Sequence, residues 1–227
     1  MPADEVLGML ARAGTAWTTM LIRSFADLVR DYNDRFQDSR RRELRWFAIQ
    51  RSIDDVIEKA AMAVSPAGKR LSHQRRIPKV VLRAWADSLL ECRAEVQRCT
   101  TFDALHLLMA KVGSNLHGIG DLAIYDTAAR VGAFLRLEPR LVYLHRGTRI
   151  GAQALGFCRC DSLSPSELPK PFRRLLADDI ENCLCIYMHE IGAIMKGLLA
   201  KTVDTDGCCR TPTPRTIVRY VRQARTV

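Results

Sequence analysis

Gly113-Ser-Asn-Leu-His-Gly-Ile-Gly-Asp-Leu122 and, further along, Arg149-Ile-Gly-Ala-Gln-Ala-Leu-Gly156 bound the stretch whose reading decides the fold. Gly118-Ile119-Gly120 predicts a tight hairpin that opens an amphipathic helix. Gly118 and Gly120 permit positive φ and put no Cβ between backbone and ligand. The free N–H groups at the start of the next helix carry partial positive charge, so the turn is a candidate anion seat. Along that helix Leu122, Tyr125, Ala129 and Gly132 share one face, and the small Ala128, Ala129 and Gly132 admit a close neighbour. Asp126 and Arg130 stand four apart and are expected to pair on the exposed side. A connector through Pro139 leads to Val142-Tyr-Leu-His145 and a further helical run carrying Arg146, Thr148 and Arg149.

Outward from this stretch the apolar spacing is helical almost throughout. Trp17, Met20, Leu21, Phe25, Leu28 and Tyr32 predict a helix over 15–36, and Leu44, Phe47, Ile53, Val56, Ile57 and Ala60 one over 43–64, ended by Ser65-Pro-Ala-Gly68. Pro78 suits the first turn of a helix over 78–98. Thr101 is a candidate cap for 102–112, and helices follow over about 121–135, 139–155 and 179–201, with a short basic helix or tail near the C-terminus. Ser164-Pro-Ser-Glu167 and Pro169-Lys-Pro171 mark a turn-rich joint too short for an interdomain linker. No period-two alternation is long enough for a strand. The expected fold is all-α: a single multi-helix domain over 1–227, with a helix-hairpin-helix module at about 102–156 and a basic tail over 208–227.

The chain has 227 residues, 48% hydrophobic and 26% charged, which fits an ordered globular protein. Its 35 Lys and Arg against 25 Asp and Glu give a net charge of +10, a statement about partners and not about fold. Lys69, Arg70, Arg75, Arg76, Lys79 and Arg83 lie in an acid-free stretch with His73 and Gln74 among them. Such a loop can follow a phosphate backbone, while Gln or His reaches a base edge. Arg40-Arg41-Arg42 with Arg45, and the arginines after Cys209, are further clusters. Acidic residues at the N-terminus do not suit a signal peptide, and no apolar run approaches a membrane span. The expected location is cytoplasmic, nucleoid-associated if DNA is bound, with reduced cysteines.

The 113–156 segment resembles the helix-hairpin-helix of the DNA glycosylase superfamily that includes endonuclease III. Gly118-Ile-Gly120 matches that family's Gly-hydrophobic-Gly hairpin, and Thr127-Ala128 looks like its Thr-Ala pair. Val142-Tyr-Leu-His145 looks like its Val-Asp-Thr-His element, with Arg149-Ile150 and Leu155-Gly156 closing the block. The resemblance implies a helical fold and contact with duplex DNA. Two departures bear on activity. The position matching the family's catalytic aspartate is Tyr143, and a neutral phenol does not supply the charge that stabilises a departing base. The Lys nucleophile of the bifunctional members also has no counterpart, since Asp121 and Leu122 follow Gly120.

The expected function is therefore DNA binding without standard glycosylase chemistry. Gly118, Ile119 and Gly120 would seat a phosphate, Arg146, Thr148 and Arg149 would flank the groove, and Lys69, Arg70, His73, Gln74, Arg75 and Arg76 would make a second contact. The alternatives are an enzyme of the same superfamily acting on a base or nucleoside through Tyr143, His145 and Asp121 or Asp126, and a helical protein-interaction module. The pairs Cys158-Arg-Cys160, Cys183-Leu-Cys185 and Cys208-Cys209 match neither the family's iron–sulfur spacing nor ordinary zinc spacing, so no metal or other cofactor is expected. Cys183 and Tyr187 share a face with Ile180, Leu184 and Ile191, as core residues do.

Overall fold

The computed structural model describes residues 22–71 and 74–206, with the backbone alone over 199–206. Helices dominate. In chain order they are α1 (Phe25–Tyr32), a π-helical turn (Asn33–Gln37), α2 (Asp38–Ala48), α3 (Ile53–Ala61), α4 (Lys79–Glu91), α5 (Arg93–Arg98), α6 (Phe102–Gly113), α7 (Asp121–Leu135), α8 (Arg146–Ala154), α9 (Ala177–Ile186) and α10 (Met188–Asp206). The all-α expectation holds, with one small exception. Val142–Tyr143 (β1) pairs antiparallel with Ser162–Leu163 (β2). The predicted helix over 139–155 therefore begins only at Arg146.

The first helices also part company with their predicted bounds. The break expected between 36 and 43 is absent: α1, the π turn and α2 run on continuously. Asp38-Ser-Arg-Arg-Arg-Glu43 lacks apolar periodicity but consists mostly of good helix formers. The chain turns instead at Ile49–Ser52, where the Ser52 hydroxyl accepts from Asp55 N–H and caps α3. Phe47 and Ile53 lie six apart, a spacing no single helical stripe supplies. Trp17, Met20 and Leu21 of the predicted first stripe, and the basic tail, lie outside the described residues. Thr101 caps α6 as expected, accepting from Ala104 N–H at 3.1 Å, and α7 matches its predicted range.

Two hydrophobic cores result. The first gathers Phe47, Val56, Ile57, Leu82, Trp85, Leu89, Leu105 and Met109 around α7. The second joins Leu28 and Tyr32 of α1 to Val142, Leu155, Phe172, Ile180, Leu184 and Ile191. The N-terminal helix thus packs with the C-terminal third, and α2 carries the chain from one core to the other. α7 rests on α2, α3 and α6, while α8 rests on α9 and α10. Gly151 permits the contact with α9: a Cβ there would stand 2.3 Å from the Leu184 carbonyl oxygen.

Polar side chains stitch the cores together. Arg40 grips Asp178 through Nε at 2.9 Å and Nη2 at 2.7 Å, and the Tyr125 hydroxyl donates to the same carboxylate at 3.0 Å. Arg130 donates to Glu43 at 2.9 Å and stands 3.4 Å from Asp126. The Asp126–Arg130 pair thus forms, but in the interior, because α7 is surrounded on almost every side. Arg40 is correspondingly engaged in the seam and not offered to a ligand.

Candidate nucleic-acid interface

α6 and α7, the helices on either side of the expected hairpin, are joined by residues 114–120. Leu116 N–H donates to Gly113 O at 3.0 Å, and Ile119 N–H to Leu116 O at 3.2 Å. Gly118 turns the chain with φ +97°, a conformation that L side chains rarely adopt. Ile119 is buried against the first core, which anchors the hairpin tip. Gly120 occupies the N-cap of α7, where no side chain accepts from the first turn. A Cβ built on Gly120 would meet nothing within 4 Å, so the helix end is open to approach.

The N-terminus of α8 lies across from it. His145 is its N-cap: Nδ1 accepts from Gly147 N–H at 3.2 Å, so the other ring nitrogen, Nε2, donates to the Glu181 carboxylate. Burial pushes the Glu181 carboxyl above its ordinary range, against the hydrogen bond from His145. Both nitrogens are engaged, so His145 positions the helix and is not a free acid or base. The Thr148 hydroxyl donates to the His145 carbonyl at 2.9 Å and is fully buried, so it cannot flank a ligand as expected.

Two adjoining cavities share Asp121 and His145. One, of about 490 Å³, is lined by Gln74, Ile77, Gly120, Arg146, Gly147 and Ile150, among others. It brings together the end of the basic loop, the hairpin and the start of α8. The other, of about 320 Å³, is lined by His106, Tyr125, Tyr143 and Arg149 as well. Here the His106 and Tyr143 rings stand 4.2 Å apart, with Tyr125 at 6.4 Å and 5.9 Å from them. Burial lowers the His106 pKa, against the raising effect of Asp103 and Asp121. The Tyr143 hydroxyl donates to Asp103 of α6. Burial first, then this carboxylate, raise its pKa.

The remaining predicted residues divide. Arg146 is exposed at the first cavity, and Lys69, Arg75 and Arg76 are exposed on the loop. Arg70 braces that loop, donating to Ile77 O at 2.8 Å. His73 lies outside the described residues. Gln74 is turned inward, donating to Asp126 at 2.5 Å, and cannot reach a base edge as placed. Arg149 pairs with Asp161 at 2.9 Å. Asp126 is held in the seam, which removes it as a catalytic candidate, whereas Asp121 is exposed at both cavities.

Sequence reasoning missed Asp103, Glu181 and the role of His106. Asp103 reads as an ordinary first-turn acid after Thr101, Glu181 as a polar residue on an amphipathic helix, and His106 as core packing. Only contacts across the fold reveal their partners. Among the described residues no three His, Cys, Asp or Glu side chains are placed to hold a metal ion, and no helix is long and apolar enough to cross a membrane. Comparisons with protein-family profiles, curated proteins and solved structures returned no match.

Proposed function

We propose that the chain binds the phosphate backbone of duplex DNA at the groove between the hairpin and the start of α8. The supporting observation is convergence. The uncapped N-terminus of α7 at Gly120, the N-terminus of α8 with exposed Arg146, and the end of the basic loop surround one cavity. Helix N-termini hold phosphate through backbone N–H groups, and Arg adds a charged fork. A protein acting in this way would be nucleoid-associated.

Fluorescence anisotropy with a labelled duplex across a salt series tests the reading. Affinity should fall linearly with log salt, with a slope near −0.9 per phosphate neutralised. Arg146→Glu should weaken binding by about tenfold or more at low salt. Absence of binding at low salt, or a flat salt response, would sink the proposal.

The second cavity favours a second reading, an enzyme that cleaves a base or nucleoside. It brings Tyr143 and Asp121 together, with a ring face for stacking, while His145 only positions the helix beside them. Asp121 would take a proton from a water whose oxygen bonds to the sugar carbon as the carbon–nitrogen bond breaks. The proton then passes to the departing base. Release of free base from nucleosides or damaged duplexes, abolished in Asp121→Asn, distinguishes this from simple binding.

A further inference from the structure

A separate groove lies among α1, the π turn, a 3-10 turn (Phe172–Arg174) and α10, and shares no lining residue with the two cavities above. Its volume is about 810 Å³, within the roughly 300–1,000 Å³ typical of small-molecule sites. Arg23, Arg30, Arg41, Lys170 and Arg174 line it, and no described lining residue is acidic. Among the described residues only Arg30 has an ion-pair partner, Asp27 at 3.6 Å. No described acid pairs with the other four cations, which line one concavity, and a bound anion relieves their mutual repulsion.

The floor has the opposite character. Phe25, Val29, Leu175 and Ile194 form it, and Leu198 at the edge is 46% exposed. Phosphate recognition alone needs cations and backbone N–H groups and gains nothing from such a floor. An apolar concavity ringed by cations is complementary to a ligand with an aliphatic chain and one anionic head. A membrane surface calls for a protruding apolar face, and this one is recessed.

We propose that this groove is a binding site for a fatty carboxylate, taken up as a monomer, with its chain on the Phe25–Ile194 floor and its head among Arg41, Lys170 and Arg174.

Calorimetric titration of the full chain with laurate, below its micelle concentration, tests this. One site should be filled. Arg41→Glu/Lys170→Glu/Arg174→Glu should weaken it by about tenfold or more, and Leu198→Glu should weaken it as well. All four positions carry exposed side chains, so the variants should keep the wild-type melting temperature. Inorganic phosphate and the uncharged dodecyl maltoside should fail to displace laurate, since each offers one half of the chemistry. Unchanged laurate binding in the triple variant would overturn the proposal. So would displacement by phosphate alone, displacement by a duplex oligonucleotide, or binding to anionic vesicles but not to the monomer.

Discussion

Asp121 is the residue on which the two functional readings diverge. It opens α7, where a carboxylate favours the helix N-terminus, and it stands where a phosphate would approach. If the groove serves only to bind DNA, Asp121→Asn should tighten duplex binding by about two- to fivefold at low salt, read by anisotropy. Base release lost in the same variant would instead assign Asp121 a catalytic part. His145 tests a different point. Its removal uncaps α8 and leaves Glu181 buried without its donor, which should cost about 3 kcal/mol by urea denaturation near pH 8. Glu181 already has a raised pKa, so above the ordinary carboxyl range the folded state holds a proton that the unfolded state releases. Stability from this group falls as pH rises through that window. Loss of the His145 hydrogen bond widens the window, so the deficit of His145→Ala should be smaller at pH 5 than at pH 8. An equal deficit at both values would refute the role given to this pair.

At the scale of elements, the hairpin can be separated from the stability of the helices it joins. Gly120 is an N-cap with φ −107° and open space where a side chain would go. Gly120→Asp should leave the melting temperature unchanged or slightly raised, since Asp caps better than Gly by a few tenths of a kcal/mol. It should nevertheless abolish most duplex binding, because a carboxylate then occupies the anion seat. Were the hairpin only a turn between helices, duplex binding would survive this change. Thr101, the hairpin glycines and the range of α7 were readable from sequence because each rests on local rules: a capping hydroxyl, positive φ and an apolar stripe. The continuous run from α1 through the π turn into α2 was not. Its middle is held by contacts from Gln37 to Asp179 and Arg40 to Asp178, with partners far along the chain. β1 and β2 were equally hidden, since a two-residue pairing leaves no period to detect.

At the scale of the whole molecule, the described residues form two apolar cores held across a polar seam. Arg40→Ala should therefore destabilise the fold by about 3–5 kcal/mol in chemical denaturation, because Asp178 would remain buried without its cation. A loss near zero would show that the seam is not held by this pair. By itself the sequence determined the helical class, the hairpin and the basic character of the chain. These depend on residue spacing, turn chemistry and composition, which act over a few residues or over the sum of them. Tertiary structure alone decided which polar groups stay open to solvent and which turn inward. Thr148, Asp126 and Arg40 look like surface residues in the sequence, yet each has its polar atoms engaged in the interior, and Gln74 is buried there with its amide nitrogen on Asp126. Asp103 and Glu181 acquire their roles only by meeting Tyr143 and His145 across the fold. The reason is physical: a polar group can be buried wherever a distant partner satisfies it, and one-dimensional order does not say which groups will meet.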